Sequence, residues 1–196
     1  MLSVYRSAAA DRDQQGIPPL PLTAAQTKEL TLLLEKPPVG EADFLKYLIV
    51  ERVSPGVDPA AKVKAEWLGA VAHGEKFSPI ISSEEAIRLL GTMFGGYNVP
   101  YLTRELEGAH ARLAAEALKQ TLLIFDNFAV VARQAEGGNP YAKAVIESWA
   151  KAEWFTSRPE IEPVISGVVY KIPGATTTDD LSPAQSAGTR PEIPLH

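Results

Sequence analysis

The 196 residues include no cysteine, which excludes disulfide frameworks, thiolate-ligated zinc, thiol nucleophiles and any iron–sulfur cluster held by this chain alone. Positive charge is also scarce: 19 Lys and Arg face 24 Asp and Glu, for a formal charge of -5. That is the wrong sign for holding nucleic acid by counterion release unless a local basic patch forms. Long apolar runs are missing too. No stretch approaches the ~18 uninterrupted apolar residues of a membrane span, and the opening MLSVYRSAAADRDQQG lacks a secretory signal's apolar core. A cytoplasmic protein with no membrane contact is expected. His73, His110 and His196 have no neighbours at metal-ligand spacing such as HExxH, so capping or surface roles are expected rather than metal binding.

What is present is a globular composition, 45% hydrophobic and 22% charged, in a length that suits one good-sized domain or one domain plus a piece of a second. Glycine and proline divide the first four fifths into segments of helical periodicity. Thr23 and Gln26 form a capping-box signature ahead of the stripe Leu30, Leu33 and Leu34, and Pro37-Pro38 ends that helix. Phe44, Leu45, Leu48 and Ile49 repeat the stripe before the Ser54-Pro55-Gly56 turn. Asp58 is placed to cap a helix with Pro59 at its first position, a face of Val63, Trp67, Ala70 and Val71, and Gly74 at its end.

Ser82 or Ser83 caps the next helix, with Ala86, Leu89, Leu90 and Met93 buried, and Gly95-Gly96 breaks it. A short helix follows Asn98 and Pro100. From about His110 to Ala135 the apolar residues lie on more than one face, the pattern of a central helix surrounded by others. Asn139-Pro140 opens a last helix carrying Tyr141, Val145, Trp149 and Ala152. Seven or eight helices with short connections predict a mainly α fold. It is either an α-solenoid of stacked helical hairpins in the manner of HEAT repeats or an irregular helical array, since no pattern recurs near a ~40-residue period. Trp67, Trp149 and Trp154 read as packing residues. Gly95-Gly96-Tyr97-Asn98 reads as a helix stop and turn, because it lacks the GxGxxG spacing and lysine of a phosphate loop. Arg104 with Lys119, and Lys143 with Lys151, read as solvated helix charges.

The texture changes at Pro159. Val164, Ser166, Val168, Tyr170 and Ile172 alternate with Ile165, Gly167, Val169 and Lys171, which is strand periodicity with Gly167 at a bulge position. A strand without partners leaves backbone groups unpaired. The expectation is therefore a helical domain over 1–158 and the opening of a second, incomplete domain over 159–196, whose sheet is completed either by another protein or protomer or, the favoured reading, by the rest of a longer polypeptide from which this chain is cut.

Several segments resemble, in order along the chain, the N-terminal part of bacterial aconitases of the B type. They are Pro37-Pro38 with its following acidic helix, Arg52 through Asp58 (RVSPGVD), Leu90-Gly91-Thr92-Met93 with Gly95-Gly96-Tyr97-Asn98, Phe125-Asp126-Asn127-Phe128, and Ser148-Trp149-Ala150 with Ala152-Glu153-Trp154-Phe155. Thr178 through Ala184 (TDDLSPA) and Arg190 through His196 (RPEIPLH) complete the set. The resemblance implies a HEAT-like domain followed by the start of a swivel domain, in a hydro-lyase that interconverts citrate and isocitrate via cis-aconitate and also dehydrates 2-methylisocitrate. It implies a [4Fe-4S] cluster in the full-length enzyme, bound by cysteines downstream of this sequence.

Carried over by motif, Arg190 matches a swivel-domain arginine that binds substrate, and its guanidinium fork suits a tricarboxylic acid. Asp179 matches an aspartate of the active-site pocket. One departure is Gly188-Thr189, where the family has a bulkier Trp-Ser pair. The helical domain would serve protein partners or a homodimer, and the chain alone would be inactive. The competing expectation is a stand-alone helical adaptor that binds protein or, as the resemblance suggests, messenger RNA, which the acidic charge disfavours. An unrelated small helical enzyme has no supporting constellation.

Overall fold

The structure, a computed structural model, describes residues 1–121, 124, 127–157, 160–169, 171 and 173–178. Capping chemistry sets four of the ten helix starts among the described residues. In α2 (Ala24–Glu35) the Thr23 hydroxyl accepts from Gln26 N–H while the Gln26 side chain accepts from Thr23 N–H, the reciprocal box read from the sequence. Asp58 caps α4 (Pro59–Ala72) by accepting from Ala60 N–H at 2.7 Å, and Pro59 occupies the first turn. Ser82 caps α5 (Ser83–Gly91), and Asn139 caps α9 (Pro140–Ala150) by accepting from both Tyr141 and Ala142 N–H. Between them lie α3 (Ala42–Glu51), α6 (Val99–Glu105), α7 (Ala111–Lys119) and α8 (Asn127–Glu136), with α1 (Leu2–Asp13) and the single turn α10 (Glu153–Thr156) at the ends.

The helices pair in sequence, α2 with α3, α4 with α5, α6 with α7 and α8 with α9, and the pairs stack. Helices α2, α4, α6 and α8 follow one another in one row, and α5, α7 and α9 form a second row against it. One apolar core runs through both rows, from Leu30, Leu34, Leu45 and Leu48 through Leu68, Ile87, Leu90 and Leu102 to Leu118, Val131 and Val145.

Three expectations change. The segment from His110 to Ala135 is two helices, α7 and α8, rather than one central helix. The last carbonyls of α7 find other partners: Leu118 O accepts from the Trp149 indole N–H at 3.0 Å, and Ala117 O accepts from the Thr121 hydroxyl at 2.9 Å. Carbonyls satisfied by side chains no longer require a continuing helix. The central position belongs to α4. Nine of its fourteen residues are buried, and they are mostly small ones that let neighbours approach. A Cβ on Gly69 would lie 2.2 Å from the Tyr101 ring.

The second change is α1, unread in the sequence. It buries Tyr5 alone, whose hydroxyl donates to Leu20 O, while Arg6 sits over the Phe44 ring at 4.1 Å and pairs with Glu41. The third concerns the strand. Among the described residues of 160–178 there is no strand, and Ile161, Val164, Ile165, Val168 and Val169 are at least 77% exposed. Among the described residues no segment lies alongside this one to take its backbone hydrogen bonds, and an alternating segment needs such a partner to form a sheet.

Candidate functional site

Asp179 and Arg190, the two site residues read from the sequence, lie outside the described residues, as does His196. One buried polar group joins α4, α6 and the start of α7. His73, at the C-terminal cap of α4, is buried with Glu105 of α6, and each side chain is 5% exposed. The His73 Nε2 lies 3.2 Å from Tyr101 O and 3.5 Å from Glu105 Oε2. Glu105 Oε1 accepts the backbone N–H of His110 at 2.8 Å, at the N-cap of α7. Gly108 makes room for this carboxylate, since a Cβ there would sit 2.4 Å from Oε1. His73 and His110 thus take helix-cap positions as expected, but His73 is buried rather than on the surface. The group ties the end of α4 to the start of α7.

A second buried charge went unread. Lys64 is 1% exposed on α4, and its Nζ reaches only Val50 O, at 3.5 Å. Burial lowers its pKa to about 8, against a smaller opposing pull from Glu51. The signal was available in the register: Lys64 falls between Ala60, Ala61, Leu68 and Ala72, all buried on the same helix.

Two of the motif segments meet. Phe94 N–H donates to Pro55 O at 3.0 Å, and Tyr97 OH donates to Val57 O. A Cβ on Gly95 would lie 1.9 Å from Gly56 O. Arg52 donates to Pro19 O and its own carbonyl accepts from Leu22 N–H, so RVSPGVD also fastens the N-terminal segment. Asn98, buried at the end of the turn, donates to Leu90 O and Met93 O. The glycine-rich segment is a helix stop and turn, as its composition predicts.

Two of the surface concavities differ in character. One of about 270 Å³ is lined by Glu84, Arg88, His110, Arg112 and Tyr141, where Arg88 already pairs with Glu84. The other, about 310 Å³, is apolar and lined by Thr121, Ile124, Phe128, Trp149 and Trp154. The cations Arg104 and Lys119 pair with Glu75 and Glu116, which makes them ordinary surface charges. Among the described residues no group of three or more His, Cys, Asp or Glu is placed to hold a metal, and no helix is long and apolar enough to cross a membrane.

This arrangement defines a helical domain of stacked pairs whose buried polar groups link one helix to another. Comparison with known proteins takes the identification further. Residues 4–155 match the family model described as the aconitate B N-terminal domain, and residues 167–196 match that of the aconitate hydratase 2 N-terminus. Along its whole length the chain is 55% identical to aconitate hydratase B of Salmonella typhimurium strain LT2, 52% to that of Escherichia coli strain K12 and 47% to that of Helicobacter pylori strain J99. The chain belongs to the aconitate hydratase B family. It spans 23% of the length of these relatives. The segment holding Asp179 and Arg190 falls within the second matched region.

Proposed function

We propose that this chain is the leading part of a hydro-lyase that interconverts citrate and isocitrate through cis-aconitate, and that it also takes part in dehydrating 2-methylisocitrate. The observation that carries the reading is the identity of 47–55% to aconitate hydratase B over the whole chain. In the forward direction a proton and a hydroxide leave adjacent carbons as water; in the return they add with the opposite regiochemistry. The chain's share of this is binding. Arg190 pairs with a substrate carboxylate through two parallel N–H donors, and Asp179 lines the same pocket.

Residues 1–158 act as a HEAT-like helical domain for protein contacts and dimerisation, supported by the stacked helix pairs. Residues 159–196 open the swivel domain. There the alternation from Val164 to Ile172 becomes a strand once partner strands are supplied. The [4Fe-4S] cluster does not fit this chain, which has no cysteine to ligate it. Its thiolates belong to other parts of the enzyme, and the chain by itself is inactive. The site of action is the cytoplasm.

Two measurements test this. Intact mass of the native product is expected several times above 21.1 kDa; a native mass of 21.1 kDa would replace the catalytic reading with a stand-alone adaptor for protein or messenger RNA. In the full-length enzyme, Arg190→Ala is expected to lower kcat/KM for citrate by about 100-fold, the worth of a charge-assisted pair of hydrogen bonds. Unchanged kinetics would remove the arginine from the site.

A further inference from the structure

The apolar concavity at the end of the helical array has no counterpart in the reading above. Its floor is Trp149, whose indole N–H is anchored on Leu118 O. Phe128 stands 6.2 Å from that ring and is 50% exposed. The far wall is Trp154, with Phe155 next to it at 62% exposure. A backbone irregularity aims this wall. Ala152 between α9 and α10 has φ +51°, the one non-glycine residue at positive φ among the described residues. A left-handed alanine is disfavoured, and such conformations persist where the surroundings require them. Here it directly precedes α10, which carries Trp154 and Phe155 and packs on α9.

Three observations indicate what covers the aromatic face. It lies on the last helix pair of the two rows, and the end of a stacked array needs a cap where its outer face is apolar. The last helix, α10, which ends at Thr156, carries the groove residue Trp154. The relatives continue well beyond the matched region, since this chain spans 23% of their length. From these we infer that the groove formed by Ile124, Phe128, Trp149 and Trp154 is the docking surface for the polypeptide downstream of residue 196. Contact there sets the orientation of the helical array relative to the catalytic part. The inference rests on the chain being the leading part of a larger hydro-lyase.

Hydroxyl-radical footprinting of the purified full-length protein tests it, with buried Trp67, 3% exposed, as the internal standard for a covered side chain. Phe128 and Trp154 are expected to show protection factors within about threefold of that of Trp67, as befits the core of an interface. Factors lower by about tenfold or more would mean an open groove and overturn the proposal. Protection that is lost on dilution would assign the groove to a second copy and overturn it equally. Hydro-lyase activity of the same preparation separates the two readings: an active enzyme with an exposed groove removes the docking surface alone, whereas a missing activity removes the reading on which it rests.

Discussion

Lys64 shows how a single residue can set a pH dependence that the composition does not suggest. Its pKa is lowered from 10.5 to about 8 by burial, so between these values the unfolded chain holds more protons than the folded one. Stability therefore rises as pH increases through that window. Lys64→Met is expected to stabilise the fold at pH 7 by about 3 kcal/mol, at roughly 1.4 kcal/mol per pKa unit, and the gain should fade as pH approaches 10.5. Urea titrations at pH 7, 8.5 and 10 check both sign and window. Glu105 is a structural case, because its buried carboxylate accepts the His110 N–H and lies beside the His73 imidazole. Glu105→Ala leaves the His110 N–H and the His73 imidazole facing a void and is expected to cost about 2–4 kcal/mol, read as a lower urea midpoint. Gly95 is a steric case. A methyl there meets backbone at Gly56 rather than a movable side chain, so Gly95→Ala is expected to destabilise by about 2–3 kcal/mol.

At the scale of elements, four of the helix starts were legible and the helix identities less so. Thr23, Asp58, Ser82 and Asn139 all cap as their residue types and spacing suggested, because capping is a contact within three residues and needs no tertiary information. The split of α7 from α8 was not legible, since the group that takes the Leu118 carbonyl is Trp149, thirty-one residues away. Trp149→Phe keeps the ring and removes the N–H. It is expected to lower stability by about 1–2 kcal/mol and to accelerate amide exchange at the end of α7, measurable by hydrogen exchange with mass spectrometry. The helix α1 was missed for a related reason. Its hold on the body is Tyr5 on Leu20 O and Arg6 on Glu41 and Phe44, partners that no window of local periodicity contains.

For the whole molecule, the stacking of pairs explains why no repeat period was found. The pairs open at Ala24, Pro59, Val99 and Asn127, unequally spaced, so the architecture repeats while the sequence does not. It also accounts for two of the segments that carry the family resemblance. RVSPGVD and GGYN are distant in sequence but share one backbone contact, Phe94 N–H on Pro55 O with Gly95 against Gly56. Their pattern is architectural, and substitutions there are expected to change stability without changing substrate affinity in the full-length enzyme, a separation that thermal melts and steady-state kinetics on one variant would display.

The sequence by itself determined the helical class, the cap positions, the turn at Gly95-Gly96 and the impossibility of ligating an iron–sulfur cluster with this chain's thiols. Each depends on residue type and short spacing, or on a count of zero. It also carried the family, through collinear segments that the comparisons bear out. Tertiary structure alone decided which helix is central, where the long apolar segment breaks, that His73 faces Glu105 and that Lys64 is desolvated. Those outcomes follow from which carbonyl, carboxylate or ring lies nearby in space, and sequence spacing does not encode that proximity.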